Sequence, residues 1–226
     1  MLHRLYFDCP WPERLWDRTS WQYFDLASVQ LESVGVPRAG LADRDLLRLS
    51  GAPRGSAVQV VHKRFNDEVC VHNDALFEAP FLFSVRREDG ALTARLQSLR
   101  LKDMYRKKGI GARMFILMVR AARGMGVQSL MGQGLGDALP ESRVWDGALP
   151  AAVLGWDAEL PPEYIASLPD FLHVETLREL MLHPGGRDWW ARHPTPLRLT
   201  FDTSTDSTGM RLLRSYAFRS RIRVHQ

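Results

Sequence analysis

The stretch LRLKDMYRKKGIG at residues 99–111 runs from an alternating, strand-like end into a basic turn with two glycines, and an apolar helical segment follows at 112–123. The first N–H groups of a helix have no partner inside the helix, and the helix dipole places partial positive charge there. Gly109 and Gly111 lack a Cβ atom and would let a phosphate approach the main chain. The stretch therefore predicts an anion site, with a pyrophosphate as the expected ligand.

The spacing of the turn residues distinguishes this site from better-known phosphate loops. The pattern Arg106-x-x-Gly109-x-Gly111-Ala112 matches neither GxxxxGK[ST] nor GxGxxG. It resembles the R/Q-x-x-G-x-G/A signature of the GNAT superfamily of acyl-CoA-dependent N-acyltransferases. Tyr105 extends the resemblance, whereas Asp103 stands where those proteins commonly have proline.

The resemblance implies a fold, a co-substrate and a set of binding residues. The fold would be α/β with mixed α+β character, a GNAT-like central twisted mixed sheet flanked by helices, with a helical insertion in the C-terminal half. Acetyl-CoA would be the co-substrate, no metal is implied, and the acceptor would be an amine on a small molecule or a protein. Main-chain groups of three residues would hold the pantetheine and polarise the thioester: Leu99, Arg100 and Leu101. The pyrophosphate would lie against Arg106, Lys107, Lys108, Gly109, Ile110, Gly111 and Ala112.

Groups for proton transfer are harder to find in the sequence. The tyrosine that many GNAT enzymes use as an acid falls on Ala151 in one alignment register and on Leu213 in another, so it is missing. Tyr216 is the nearby alternative, although it also fits a core position. His72 and Glu78, near the ends of adjacent predicted strands, are the nearest titratable candidates for the base, and His72 is preferred because its usual pKa lies nearer neutrality. Both also fit ordinary surface positions.

Composition places the chain among soluble globular proteins. Hydrophobic residues make up 45% and charged residues 25% of the 226 residues, with a net charge of +4. Cys9 and Cys70 form no CxxC pattern, and no apolar run is long enough for a membrane span. We expect a cytoplasmic protein without a membrane partner; nucleic acid is disfavoured despite the basic segment 211–223, and a homodimer stays open.

The periodicity predicts a single domain, 1–226, in four parts. Residues 1–55 form an arm and a helix at 41–49, 56–135 the sheet and acyl-CoA core, 137–195 a helical lid, and 196–226 a closing strand–helix–strand. The predicted strands are 58–64, 69–73, 81–87, 91–101, 127–131, 197–203 and 218–224, with helices at 111–123, 174–182, 187–192 and 206–215. A turn is predicted at 86–90, a bulge at Ser98 and a cleft-edge turn at 132–136. Strand 127–131 would lie parallel to strand 91–101, and the ligand would bind at the opening of this β-loop-α-β unit.

Two functions from different classes follow. One is an N-acetyltransferase that moves acetyl to a primary amine by direct attack in a ternary complex. The other is a CoA-binding regulatory or interaction module that has lost its catalytic groups. The intact turn favours the enzyme and the missing tyrosine favours the module.

Overall fold

Seven strands of the described residues form one mixed sheet in the order β1-β2-β3-β4-β5-β6-β7. The computed structural model describes residues 24–37, 39–106, 108–134 and 148–219. The strands are β1 Gln30–Val34, β2 Ala57–His62, β3 Asp67–His72, β4 Phe81–Glu88, β5 Ala91–Ser98, β6 Val127–Gly134 and β7 Leu197–Asp202. The helices are α1 Asp43–Leu49, α2 Ile110–Gly124, α3 Ala148–Val153, α4 Pro162–Ile165, α5 Leu177–Leu182, α6 Gly186–Arg192 and α7 Thr208–Arg219, with short 3₁₀ turns at Leu26–Ser28 and Asp103–Tyr105. The predicted α/β class with a mixed sheet and flanking helices is confirmed.

The sheet combines hairpins with two parallel pairs. Strands β2 to β5 run antiparallel to one another, whereas β1 is parallel to β2 and β5 is parallel to β6. The β4–β5 connection is the predicted tight turn: Asp89 has φ 48° and Gly90 has φ 82°. Positive φ at both central residues is what a type I′ hairpin needs. The parallel return from β5 through α2 to β6 is also confirmed.

One face of the sheet carries the core. Alternate residues of β2, β3 and β4 are buried on this face, among them Val60, Val69 and Phe83, as the period of two in a strand requires. Helix α2 covers the face with a stripe at helical spacing that includes Met118 and Ala122, both of which are buried. The apolar residues that alternate along the strands and those at helical spacing along α2 therefore pack into one core.

Three aromatic rings connect α2 to the C-terminal half. The Phe115 ring centroid lies 5.0 Å from that of Trp156 and 5.1 Å from that of Phe201 on β7. Asp157, next to Trp156, exchanges two backbone hydrogen bonds with Thr200 on the outer edge of β7, at 3.0 and 2.8 Å.

Three expectations for the secondary structure are wrong. Phe218 and Arg219 continue α7 rather than begin a strand, and residues 220–224 lie outside the described part. The first three residues of the predicted turn at 132–136 belong to β6 because they pair with β7. The third expectation concerns the predicted N-terminal arm, which contains the strand β1. All five residues of β1 are exposed, so no alternation of buried and exposed residues indicates a strand there.

A buried histidine ties β1, β2, β3 and α1 together. His62 Nδ1 lies 2.7 Å from Asp67 Oδ1 and its Nε2 lies 2.9 Å from Asp43 Oδ1, with the imidazole 1% exposed. Burial opposes protonation, but the two carboxylates outweigh it and raise the pKa of His62. A hydrogen bond from Ser33 on β1, together with His62, lowers the pKa of Asp43. The protonated imidazole can therefore donate to both carboxylates at once.

The raised pKa of His62 predicts a stability that depends on pH. Its contribution is complete below about pH 6.5, the pKa in the unfolded chain, and is lost as the pH rises through the higher folded pKa. At pH 6 the free energy of unfolding of His62→Gln should be about 3 kcal/mol lower than that of the wild type. A loss of this order is found when one member of a buried ion pair is removed. Urea unfolding at pH 6 and pH 9 measures this, and a difference between the two proteins that stays constant would contradict it.

Candidate functional site

The parallel strands β5 and β6 separate at the end where the basic turn begins. Their pairing runs from Leu92 opposite Val127 to Leu96 opposite Gly132. Beyond that point Ser98 of β5 pairs with Leu82 of β4, while Gly134 of β6 pairs with Leu197 of β7. Beyond this point β5 therefore stays paired with β4 and β6 stays paired with β7, but β5 and β6 no longer pair with each other. The sheet opens between β5 and β6.

A β-bulge in β5 accompanies the opening. Leu82 lies opposite Ser98, but the next residue of β4, Phe83, lies opposite Leu96, so Gln97 is the extra residue. The bulge therefore lies at Gln97, one position before Ser98, the residue at which the sequence predicted it. The alternation of side chains slips only after the extra residue, which explains the offset.

The segment after β5 presents its backbone to the opening. Arg100 O accepts from Glu78 N at 3.0 Å and Lys102 N donates to Leu76 O at 2.9 Å, which pins this segment to the β3–β4 connection. Successive residues of an extended chain direct their backbone groups to opposite sides. The N–H and C=O groups of Leu101 therefore point away from that connection, toward the side where β5 has lost β6.

Helix α2 begins beside this segment and has the properties of an anion site. Gly109 precedes it with φ 74° and ψ 3°, and the first backbone bond of the helix runs from Arg113 N to Gly109 O at 3.0 Å. The N–H groups of Ile110, Gly111 and Ala112 thus lie before the first helical bond. The first turn contains no acidic residue. A Cβ on Gly111 would lie 3.7 Å from Leu101 Cδ1, so the helix start and the strand end are adjacent.

Arg106 has a different environment from the predicted phosphate contact. Its Nε donates to Leu101 O at 3.0 Å, its Nη2 lies 2.7 Å from Glu78 Oε1, and its Nη1 lies 2.8 Å from Asp103 Oδ1. Two carboxylates therefore neutralise the guanidinium, which braces the turn against the end of β5. Glu78 lies 28 residues away in sequence, and no local pattern links the two.

The other predicted cations of the turn are exposed or undescribed. Arg100 and Lys108 are exposed, and Lys108 Nζ lies 5.5 Å from the ring centroid of Tyr105. Lys107 lies outside the described residues. Apart from Lys107, the predicted binding residues thus come together around the α2 N-terminus and the end of β5.

The two candidate catalytic residues lie farther from the turn in the topology. His72 ends β3, and β4 lies between it and β5, so about 10 Å of sheet separates the two strands. The Cys70 Sγ lies 3.0 Å from His72 Nε2, and burial raises the pKa of the Cys70 thiol. Burial therefore favours the protonated form of the Cys70 thiol. Tyr216 lies half-buried on α7, which packs against α3 and β7.

Comparisons with known proteins give no sequence match. No family model and no curated protein matches the chain. Solved structures that it resembles include N-acetylglutamate synthase from Neisseria gonorrhoeae with coenzyme A and N-acetyl-glutamate, at 12% identity and TM-score 0.31, covering 61% of this chain and 26% of that one. Nourseothricin acetyltransferase matches at 12% identity and TM-score 0.32, with 62% and 67% covered. A Bacillus subtilis acetyltransferase in complex with CoA matches at 10% and 0.28, with 61% and 76% covered.

Two of these proteins are named as acetyltransferases, and the third is named as a synthase of N-acetylglutamate. The chain spans about a quarter of the length of the Neisseria protein. No described helix combines the length and apolar character of a membrane span.

The two glycines of the turn should respond oppositely to alanine. Gly109 has a left-handed backbone, so Gly109→Ala should cost about 1 kcal/mol of unfolding free energy. Gly111 is helical and its added Cβ would meet only ordinary contacts, so Gly111→Ala should stabilise by about 0.5 kcal/mol. Denaturant unfolding checks both values, and a strongly destabilised Gly111→Ala protein would show that the helix start is packed differently.

Proposed function

We propose that this protein is an acyl-CoA-dependent N-acyltransferase that moves an acetyl group to a primary amine. The observation that carries the proposal is the adjacency of two features. The opening between β5 and β6 presents the Leu101 backbone, and the N-terminus of α2 lies beside it with a left-handed glycine and no acidic residue. A long ligand with a pyrophosphate at one end and amide groups along its arm matches such a site.

The residues of the site have separate tasks in this proposal. The N–H groups of Ile110, Gly111 and Ala112 bind the pyrophosphate, and exposed Lys108 adds charge. The backbone at Leu101 holds the amide-bearing arm as an added strand would. The acceptor amine then attacks the thioester carbon, a C–N bond forms, the C–S bond breaks, and the thiolate takes a proton. Main-chain positioning supplies much of the rate increase.

The alternative is a CoA-binding regulatory or interaction module without efficient turnover. Two observations favour it. The two register positions for an acidic tyrosine hold Ala151 and Leu213, and the substitute Tyr216 is packed against the core from α7. The two functions share ligand binding and differ only in acyl transfer.

Ligand-induced stabilisation tests the shared part. Acetyl-CoA at about 100 times its Kd should stabilise the folded protein by roughly 2.7 kcal/mol, and CoA should act similarly, whereas ATP and NAD should not. Thermal unfolding with each compound measures this. Stabilisation by ATP or NAD with no effect of acetyl-CoA would contradict the proposal.

A matched glycine pair separates the site from general stability. Gly109 and Gly126 both have φ +74°, and at neither would an added Cβ meet a heavy atom within 4 Å, but they lie at opposite ends of α2. Replacement of either by valine should cost similar stability because the backbone strain is the same. Only Gly109→Val should lower acetyl-CoA affinity, by about tenfold or more, in a calorimetric titration, because only its side chain would stand where the phosphate meets the main chain. Equal affinities of the two variants would place the phosphate elsewhere.

Proton transfer by His72 and Tyr216 is a separate part of the proposal. If His72 is the base, His72→Ala should remove a step near neutral pH from the pH–rate profile, and Tyr216→Phe should slow turnover if Tyr216 is the acid. Thiol release against a panel of amines gives both profiles. Unchanged profiles in an active enzyme would exclude both residues as the groups that move the protons.

A further inference from the structure

Arg106 and Glu78 form an ion pair directly at the proposed ligand site. The Arg106 guanidinium uses its three nitrogens on three acceptors: Leu101 O, Glu78 and Asp103. The side chains of the Arg106–Glu78 pair are 46% and 37% exposed, and that of Asp103 is 86% exposed. Exposed pairs of this kind contribute little to stability. An anion with more negative charge can therefore displace Glu78 from the Arg106 guanidinium at a small cost in free energy.

The position of Glu78 is set independently of its ion pair. Its backbone N–H donates to Arg100 O at 3.0 Å, and the neighbouring Phe77 lies opposite Leu101. If Arg106 turned away, Glu78 would therefore stay beside the end of β5. Its carboxylate would then lie without its cation next to the backbone that is proposed to hold the thioester arm.

We propose that acyl-CoA binding transfers Arg106 from Glu78 to the pyrophosphate, and that the released Glu78 carboxylate binds the ammonium group of the acceptor. The pyrophosphate as a whole carries two negative charges, one more than the Glu78 carboxylate, and its oxygens offer the planar guanidinium a bidentate partner. The acceptor is accordingly a cationic amine, and its site is completed only after acyl-CoA has bound. This inference rests on the proposed function.

The released carboxylate also balances the proton inventory. Glu78 accepts one proton from the acceptor ammonium and later returns it to solvent. The neutral amine attacks the thioester carbon, the C–S bond breaks, and the second amine proton passes to the CoA thiolate. The products are the N-acyl amine and the CoA thiol, and no further reactant is needed.

Glu78→Gln separates this role from a structural one. Removal of the competing charge should leave acetyl-CoA affinity unchanged or raise it by about two- to fivefold, the range for an exposed ion pair. Turnover of a cationic amine at saturating acetyl-CoA should fall by about 100-fold or more, as expected for a lost proton acceptor. Glu78→Asp should recover part of that loss. Calorimetry gives the affinity, and thiol release gives kcat and KM.

Two control variants accompany the test. Glu88 forms a similar exposed pair with Arg86 at 2.8 Å in the β4–β5 hairpin, so Glu88→Gln should leave affinity and kcat unchanged. Asp103→Asn removes the second carboxylate on Arg106 and should raise acetyl-CoA affinity without a loss of kcat. These variants distinguish a general loss of charge from the loss of the Glu78 carboxylate.

The remaining outcomes overturn the inference in different ways. Weaker acetyl-CoA binding together with a lower Tm in Glu78→Gln would show that the ion pair only braces the turn. An unchanged kcat in Glu78→Gln would remove the acceptor role, as would a wild type that binds acetyl-CoA but acetylates no amine. A wild type that binds no acetyl-CoA would overturn the proposed function itself, and with it this inference.

Discussion

The separation of β5 from β6 after Leu96 and Gly132 is the constraint on which the site depends. Up to that pair the two strands share a parallel ladder, and beyond it each is held by its outer neighbour. The extra residue Gln97 allows β5 to follow β4 away from β6. As a result, the backbone N–H of Leu101 points to the side where no β6 residue pairs with it, beside the start of α2, while the Leu101 carbonyl accepts from Arg106 Nε.

The electrostatics of the turn rest on the main chain more than on its arginine. Arg106 is neutralised by Glu78 and Asp103, whereas the N–H groups at the start of α2 have no competing acidic side chain in the first turn. The left-handed Gly109 sets the direction from which the chain enters the helix. The motif's arginine, Arg106, thus braces the turn against the end of β5. The motif's glycine, Gly109, fixes the backbone direction at the start of the helix.

Sequence periodicity predicted the parts of the fold that have one buried and one exposed face. Strands β2 to β5, helix α2 and the Asp89–Gly90 turn follow from alternation, helical spacing and turn chemistry. Strand β1 could not be predicted because both of its faces are exposed. The His62 cluster reaches Asp43 across 19 positions of the sequence, and Arg106 meets Glu78 across 28, so neither contact leaves a local signal.

Amide hydrogen exchange with and without acetyl-CoA tests whether the opening beside β5 and the start of α2 bind this ligand. The N–H of Leu101 and the first N–H groups of α2 are the groups assigned to the ligand, so their exchange can be followed residue by residue. Acetyl-CoA should slow exchange at Leu101, Ile110, Gly111 and Ala112 and leave the Gly90 turn unchanged. Unaltered exchange at these four amides under saturating acetyl-CoA would contradict this assignment.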